Sequence, residues 1–251
     1  MNATPPAAAA PVLAIDAGNT RVKWALRVGD AWAARGAIAT ADAGALGRDW
    51  PAMPPGTRAL GSNVGGPAVL ARLHEACARH GLSLSVIVSR QEQLGVRSAY
   101  RDPSQLGTDR WAALIAARHA AAVHQIVANA GTALTVDALR ADGLFAGGLI
   151  VPGIALMRRS LDGGTAQLRH TEGVFDPFPK STPDAITTGS VQAAVGAIER
   201  MRGAMAAAGF APERILLSGG AAPALGPHLP MPVTLDDNLV LDGLVLIARA
   251  S

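Results

Sequence analysis

Apolar and polar residues alternate along the first forty positions in a way that predicts three consecutive β-strands. The strands are expected at residues 12–15, 20–27 and 32–39, because apolar residues there recur at every second position or form a short continuous run. Two short segments interrupt the pattern, the polar turn Ala17–Thr20 and the tripeptide Val28–Asp30 with a glycine at its centre. The sequence therefore predicts two hairpins that share the middle strand.

The next part of the chain alternates between strand and helix patterns. Residues 57–66 are expected to form a strand that ends in a loop, residues 67–80 a helix stopped by a glycine, and residues 82–89 another strand. A second helix is expected to begin near residues 107–108, after a polar loop. This order of elements is typical of α/β proteins, in which helices cover a sheet.

The first hairpin recurs 113 residues further along the chain. The segment AIDAGNTRVKWAL aligns with VANAGTALTVDAL at residues 127–139, so that Asp16 matches Asn129 and an Ala-Gly pair follows each of them. Chance is the alternative explanation, since Ala and Gly are common in this chain. The shared order of strand, turn, strand, turn and strand nevertheless favours two similar α/β domains packed face to face, over residues 1–117 and 118–251.

Composition and charge exclude several classes of protein. Hydrophobic residues make up 49% of the 251 residues and charged residues 16%, so a folded core is expected rather than disorder. The formal net charge is only +3 and the basic residues are scattered, so no nucleic-acid partner is expected. No apolar run is long enough to predict a membrane-spanning helix, so no membrane partner is expected either.

Cysteine and histidine positions carry little further chemistry. Cys77 is the only cysteine, so an internal disulfide is impossible and a cytoplasmic location is expected. His74 and His80 are six positions apart, which does not fit the zinc-binding pattern H-E-x-x-H, and no zinc site is predicted. The first residues, MNATPPAAAAP, lack the charged and apolar regions of a secretory signal and are expected to form a loose tail.

The turn after the first strand combines groups that suit a phosphate. A glycine lets backbone N–H groups approach an anion, Asn19 and Thr20 add neutral donors, and Lys23 adds a positive charge. Asp16 suits the same place if it holds Mg²⁺ directly or through water. A plain tight turn is the alternative, but the second copy, which carries Thr132, favours two turns that enclose a polyphosphate. No other nucleotide-binding motif is present.

The segment YRDPSQLGTDRWAAL, which begins at Tyr100, is the third feature with candidate chemistry. Thr108 is expected to be the N-cap of the following helix, with Asp109 in its first turn. An acid there can simply stabilise the helix through its dipole, but Arg110 follows directly and has the wrong charge for that role. A substrate pocket built from this loop is therefore an equally supported interpretation.

In combination, these motifs resemble type III pantothenate kinases, a family within the acetate kinase, sugar kinase, Hsp70 and actin superfamily. The matching motifs recur in order across nearly the whole chain: D-A-G-N-T (16–20), Y-x-x-P-x-x-x-G-T-D-R (100–110), A-G-T-A-x-T-x-D (130–137), G-G-x-I-x-P-G-x-x-L (147–156), S-T-P-D-A-I-x-x-G (181–189) and S-G-G (218–220). The resemblance implies two ribonuclease H-like or actin-like domains with mixed five-stranded sheets flanked by helices, and an active site in the interdomain cleft.

The resemblance also implies the activity and the residues that carry it. The expected reaction is the ATP-dependent phosphorylation of the 4′-hydroxyl of pantothenate, the first step towards coenzyme A, in a homodimer that uses Mg²⁺ with ATP. Asp109 is expected to be the general base. The ATP-binding residues would be Asp16, Ala17, Gly18, Asn19, Thr20, Arg21, Val22, Lys23 and Thr132. The pantothenate-binding residues would be Tyr100, Gly107, Thr108, Asp109, Arg110 and Thr182. Ser218, Gly219 and Gly220 are expected near the adenosine.

One residue departs from the family pattern. The family usually has an aspartate at the position of Asn129, where it holds a monovalent cation, commonly K⁺. An amide oxygen lacks the formal charge, so it should bind a cation more weakly. The hypothesis is that activation by a monovalent cation persists in altered form, with NH₄⁺ or K⁺ as the ion.

Two other functions stay open at this point. The chain could be a different kinase or phosphatase of the superfamily that acts on another small alcohol. It could also be a non-catalytic regulator, because some proteins of this family are described as Bvg accessory factors and linked to gene regulation. The presence of both Asp16 and Asp109 argues against the second alternative.

Overall fold

A computed structural model describes residues 9–164 and 173–251, without the side chains of residues 162–164. The predicted tail at the chain start lies mostly outside the described residues. Contacts divide the chain into two compact units. Unit 1 comprises residues 1–90, 104–116 and 239–251, and unit 2 comprises residues 91–103 and 117–238. The boundary expected from the sequence, between residues 117 and 118, differs from this grouping at three places: residues 91–103 and residue 117 group with unit 2, and residues 239–251 group with unit 1.

Unit 1 begins with the predicted double hairpin. Strands β1 (Val12–Ala17), β2 (Arg21–Val28) and β3 (Ala31–Ala39) pair antiparallel in succession, which confirms the expected strands and the turn at Gly29. Strands β4 (Arg58–Asn63) and β5 (Leu84–Val86) add to the other side of β1 in parallel. In the described part of the unit the sheet therefore has the order β3-β2-β1-β4-β5.

Helices of unit 1 pack on this sheet through apolar faces. Helix α1 (Pro67–Arg79) starts with proline at its first position, and it buries Leu73, Ala76 and Cys77 on one face at the spacing of a helical turn. Helix α2 (Thr108–Ala120) begins in this unit. The last helix of the chain, at Leu239–Ala250, packs against β1 and β4.

Unit 2 repeats the same sheet with two additional strands. Its strands are β6 (Glu92–Gln93), β7 (Val96–Ser98), β8 (Gln125–Ala130), β9 (Ala133–Leu139), β10 (Leu144–Pro152), β11 (Arg214–Ser218) and β12 (Val233–Leu235). Their order among the described residues is β12-β11-β8-β9-β10-β7-β6, so that β8 to β12 reproduce the arrangement of β1 to β5. The resemblance implied five strands in each sheet; here β7 and β6 extend the second sheet to seven, because β7 pairs with the free edge of β10.

Helices of unit 2 cover the corresponding core. They are α3 (Ile154–Gly164), α4 (Thr182–Ala207) and α5 (Ala222–Leu225), and the C-terminal helix of unit 1 is accordingly α6. Helix α4 is capped by the hydroxyl of Ser181, which accepts a hydrogen bond from the backbone N–H of Asp184. Its buried face packs against β8, β9 and β10. Within the described part of the chain, no helix is long and apolar enough to cross a membrane.

Candidate active site

Asp16 lies at the carboxyl end of β1, in the centre of the sheet of unit 1. It pairs in register with Lys23 on β2 and with Ser62 on β4. Its Oδ1 atom is buried and has no hydrogen-bond partner within the described part of the chain. Burial, with a smaller contribution from the charge of Asp109, raises the pKa of Asp16 to about 7, although Lys23 acts in the opposite direction. A buried carboxylate oxygen without a partner is the kind of group that a cation would satisfy.

The turn that follows Asp16 is held by backbone hydrogen bonds. Gly18 donates its N–H to the carbonyl of Arg21 at 3.0 Å. Thr40, the residue after β3, donates its hydroxyl to the carbonyl of Gly18 at 2.8 Å and its N–H to the carbonyl of Thr20 at 2.9 Å. Asn19 and Thr20 are exposed at the tip, so the predicted phosphate-binding residues sit on a turn whose backbone is fixed.

Asp109 lies in the first turn of α2, as predicted, but the helix starts differently from the expectation. Thr108 is the first helical residue, and the carbonyl of Gly107 accepts the N–H of Trp111 at 3.0 Å. Gly107 therefore occupies the N-cap position, and the prediction of Thr108 as the N-cap is wrong by one residue. A Cβ atom on Gly107 would lie 2.6 Å from Oδ1 of Asp109, so the carboxylate occupies the space that a side chain would need.

Two groups of Arg110, its backbone N–H and its charged side chain, act on the carboxylate of Asp109. Its Oδ1 accepts a hydrogen bond from the backbone N–H of Arg110 at 2.8 Å. Burial raises the pKa of Asp109, whereas this hydrogen bond and the charge of Arg110 act to lower it. The Arg110 side chain is itself buried. This cation therefore opposes the effect of burial on the pKa of Asp109.

A contact that the sequence did not predict links α2 to the sheet. The hydroxyl of Ser62 lies 2.9 Å from the hydroxyl of Thr108. Ser62 is fully buried and is the register partner of Asp16. A polar residue at the end of the apolar strand β4 was the available signal, but it had no specific meaning without the sheet register. Unit 1 thus brings together Asp16, Ser62, Lys23, Thr108 and Asp109.

Unit 2 carries the second copy of the turn. Asn129 lies at the carboxyl end of β8, and Gly131 donates its N–H to the carbonyl of Ala133 at 3.0 Å. Gly153, the residue after β10, donates its N–H to the carbonyl of Thr132 at 2.9 Å. A Cβ atom on Gly153 would lie 2.1 Å from the carbonyl oxygen of Gly131, so only glycine fits beside this turn. The turn is fixed from the third strand, as in unit 1.

The S-G-G segment lies directly beside Asn129. Ser218 pairs with Asn129 in the parallel register of β11 and β8. Gly219 has φ +94°, a left-handed conformation that favours glycine, and a Cβ atom there would lie 2.6 Å from Oδ1 of Asn129. The S-G-G segment therefore packs against the end of β8. Its expected position near the adenosine stays a prediction.

Two further residues of the predicted pantothenate pocket belong to unit 2. Tyr100 is half-buried, with its ring centroid 5.1 Å from that of Phe145 on β10. Thr182 is the exposed first residue of α4. Their contacts with a substrate stay predictions.

The acids of unit 1 suit a metal ion whose coordination comes mainly from the phosphates of a bound nucleotide. Among the described residues, no group of three or more His, Cys, Asp or Glu side chains could hold a metal ion by itself. Mg²⁺ that accompanies a nucleotide needs only one or two carboxylates, because phosphate oxygens and water complete its coordination. The buried, unpartnered Oδ1 of Asp16 meets this requirement.

Comparison with known proteins identifies relatives over almost the whole chain. Residues 12–204 match a family described as type III pantothenate kinase. A type III pantothenate kinase from Aromatoleum aromaticum is 48% identical over 238 residues, which cover 95% of this chain and 98% of the relative.

Two solved structures share the fold at low sequence identity. A protein described as a Baf family transcriptional activator from Campylobacter jejuni has a TM-score of 0.60 at 19% identity, covering 95% of this chain and 98% of its own. A protein described as a 2-dehydro-3-deoxygalactonokinase from Sinorhizobium meliloti has a TM-score of 0.59 at 15% identity, covering 95% and 96%. The predicted α/β fold is thereby confirmed.

Proposed function

Because this chain belongs to the type III pantothenate kinase family, we propose that it transfers the γ-phosphoryl group of ATP to the 4′-hydroxyl of pantothenate. Kinases of this family use ATP with a divalent metal ion. The observation that carries the assignment for this chain is the pair of interacting acids, Asp16 and Asp109, in unit 1. Phosphoryl transfer depends on positioning and charge neutralisation, and it needs one group that accepts the proton of the attacking hydroxyl.

Asp109 is the general base of the proposed reaction. Its carboxylate accepts the 4′-hydroxyl proton as the oxygen attacks the γ-phosphorus, and the bond from the γ-phosphorus to the bridging oxygen breaks to release ADP. Burial raises the pKa of Asp109, which makes its carboxylate a stronger base, while the N–H and the charge of Arg110 act in the opposite direction. The Arg110 N–H binds Oδ1, so the proposal assigns the proton to Oδ2 of the same carboxylate.

Asp16 and Lys23 would bind the phosphates of ATP, Asp16 through Mg²⁺ and Lys23 through its charge. Asp16 would hold Mg²⁺ directly or through water, as the buried and unpartnered Oδ1 suggests. When bound, the ion neutralises charge on the phosphate oxygens. Lys23, its register partner on β2, supplies a second positive charge, and the exposed tip residues Asn19 and Thr20 supply neutral donors.

The remaining predicted contacts complete the proposal. The turn from Asn129 to Thr132 would donate hydrogen bonds to ATP phosphates. Its support is the fixed backbone of the turn, which places Thr132 beside a glycine that no other residue could replace. Tyr100 and Thr182 would bind pantothenate together with residues 107–110, in a homodimer.

Asn129 would bind a monovalent cation with its Oδ1 atom. The support is the left-handed glycine beside it, Gly219, which leaves Oδ1 uncovered by any side chain at that position. Assays in sodium, potassium and ammonium salts at equal ionic strength test this point. Rates that are highest in ammonium or potassium are expected, and equal rates in all three salts would exclude activation.

The test of the activity is ADP release measured with and without pantothenate in the presence of MgATP. Pantothenate-dependent ADP release, with 4′-phosphopantothenate as the second product, is expected. Release that depends on a different small alcohol would assign another kinase of the superfamily. No turnover with any alcohol, from a folded protein, would support the non-catalytic alternative.

A further inference from the structure

Ser62 occupies a position from which it can control the start of α2. It is fully buried at the carboxyl end of β4 and is the register partner of Asp16. Its hydroxyl lies 2.9 Å from the hydroxyl of Thr108, the first residue of α2. The residue after Thr108 is Asp109. One hydrogen bond therefore links β4, the strand beside Asp16, to the residue that precedes the proposed general base.

Repulsion between Asp16 and Asp109 is the reason why a contact between α2 and β4 matters. Asp16 and Asp109 interact electrostatically, and charges of the same sign favour separation. Gly107, the residue before Thr108, has no side chain that could pack the helix start against the sheet. The carboxylate of Asp109 occupies the space where such a side chain would lie. The Ser62–Thr108 hydrogen bond joins the helix start to the strand that runs beside Asp16, and so it opposes the separation.

The second unit shows that the strand itself does not require this contact. Ser218 has the same register position relative to Asn129 that Ser62 has relative to Asp16. The hydroxyl of Ser218 donates to the backbone carbonyl of Ala128 at 3.5 Å, within its own sheet. A serine at this strand end can therefore satisfy its hydroxyl locally. The contact of Ser62 with a helix is specific to the unit that carries the acids.

We propose that Ser62 is a positioning residue, which acts through Thr108 to hold the carboxylate of Asp109 at the distance and angle that proton transfer requires. The inference rests on the proposed function. Ser62 does not touch the substrate in this account, so its loss lowers kcat and leaves the KM values for ATP and pantothenate nearly unchanged. Small displacements of a catalytic group are costly, so the expected decrease in kcat is about tenfold.

The experiment compares Ser62→Ala, Thr108→Val and the double variant by steady-state kinetics, with thermal unfolding of each protein. Thr108→Val removes the same hydrogen bond from a half-buried position and keeps the shape of the side chain. Thr108 is also a proposed pantothenate-binding residue, so the KM of this variant for pantothenate is expected to rise, and only its kcat is compared with that of Ser62→Ala. Ser190→Ala is the matched control, because Ser190 is also buried and its hydroxyl donates to its own helix, at the carbonyl of Ile186.

The proposal expects Ser62→Ala to lose about tenfold in kcat with both KM values within about twofold of wild type, while Ser190→Ala keeps full activity. The double variant should lose no more kcat than the more affected single variant, because both changes break one contact. If Ser62→Ala does not fold, Thr108→Val decides, and wild-type kcat in that variant contradicts the proposal.

Two other results would overturn the inference: wild-type kcat in folded Ser62→Ala, or losses that multiply in the double variant. Either result, with normal wild-type turnover of pantothenate, refutes the role of Ser62 alone. Absence of pantothenate turnover in the wild-type protein refutes the proposed function instead.

Discussion

The two central strand ends of this protein have the same backbone arrangement but different side-chain chemistry. In unit 1, β1 ends in Asp16, with Lys23 and Ser62 as register partners. In unit 2, β8 ends in Asn129, with Thr135 and Ser218 at the equivalent positions. The repeat thus preserves hydrogen-bonding groups at both ends, and in unit 1 it adds a carboxylate and an ammonium group.

The difference shows how a duplicated fold can divide one task. A glycine turn follows each strand end, and a residue after the third strand fixes each turn, Thr40 in unit 1 and Gly153 in unit 2. Both units therefore offer backbone donors that suit an anion. Only unit 1 adds the acid of α2, Asp109, so the proposed function assigns the proton transfer and the metal ion to that unit.

Removing the acid of α2 tests this division most strongly. Asp109→Asn keeps the size and most hydrogen bonds of the side chain but removes the base, so kcat should fall by about 10²- to 10⁴-fold, with KM values changed little. Steady-state kinetics with MgATP and pantothenate measure the effect. Asp142→Asn is the control, because Asp142 is an exposed acid in the β9–β10 turn. Turnover of Asp109→Asn near the wild-type rate would remove Asp109 from the catalytic role.

Converting the first strand end into a copy of the second tests the role of charge. Asp16→Asn should weaken binding of MgATP by about 10- to 100-fold, because the ion loses its carboxylate while the turn keeps its donors. Titration of the nucleotide with and without Mg²⁺ measures both contributions. Binding of metal-free ATP should weaken less or even improve. An unchanged dependence on Mg²⁺ would contradict the proposed metal ligand.

Sequence patterns were sufficient to predict the central strands of each unit. Alternation predicted β2 and β3, because a sheet with one buried face imposes a period of two, and a short continuous apolar run predicted the central strand β1, which is buried on both faces. The repeat of Asp16 at Asn129 predicted the second sheet, since identical strand order leaves the same sequence signal. The helix pattern predicted Asp109 in the first turn of α2, which the structure confirms. Its role as general base, which the family resemblance implies, stays a prediction.

Contacts between distant segments could not be derived from these patterns. The predicted strand at 82–89 is reduced to Leu84–Val86, because the pairing register with β4 covers those three residues, and Ile87 adds one N–H bond to the carbonyl of Gly61. The short strands β6 and β7 carry no clear alternation, and their place depends on the free edge of β10. Ser62 is an ordinary serine in the sequence, and only the register that places it beside Asp16 gives it a candidate role.

A glycine of the second strand end offers a test of its backbone geometry. Gly219→Ala should destabilise the protein by about 2–3 kcal/mol, because φ is +94° and the new Cβ would lie 2.5 Å from the carbonyl oxygen of Ala130. Gly220→Ala is the matched control, since a Cβ there meets nothing within 4 Å. Urea unfolding of both variants measures the difference. Equal stability of the two would mean that Gly219 is not held in this conformation.

The charge at the first strand end should also make stability depend on pH. Burial and Asp109 raise the pKa of Asp16 to about 7 in the folded protein, whereas the unfolded chain has the ordinary value of 3.8. Between these values the folded state binds the extra proton, so the contribution of Asp16 to stability is full below pH 3.8 and is lost as the pH rises through 7.

Asparagine at position 16 does not titrate, so the comparison of wild type with Asp16→Asn isolates this contribution from the other acids. Relative to that variant, the wild-type protein should lose about 2–3 kcal/mol of unfolding free energy between pH 5 and pH 8. Urea unfolding at both pH values, without nucleotide or metal, measures it. Parallel curves for the two proteins would show that the Asp16 carboxylate is not desolvated, and the contrast with Asn129 would then be one of side-chain identity without an electrostatic consequence.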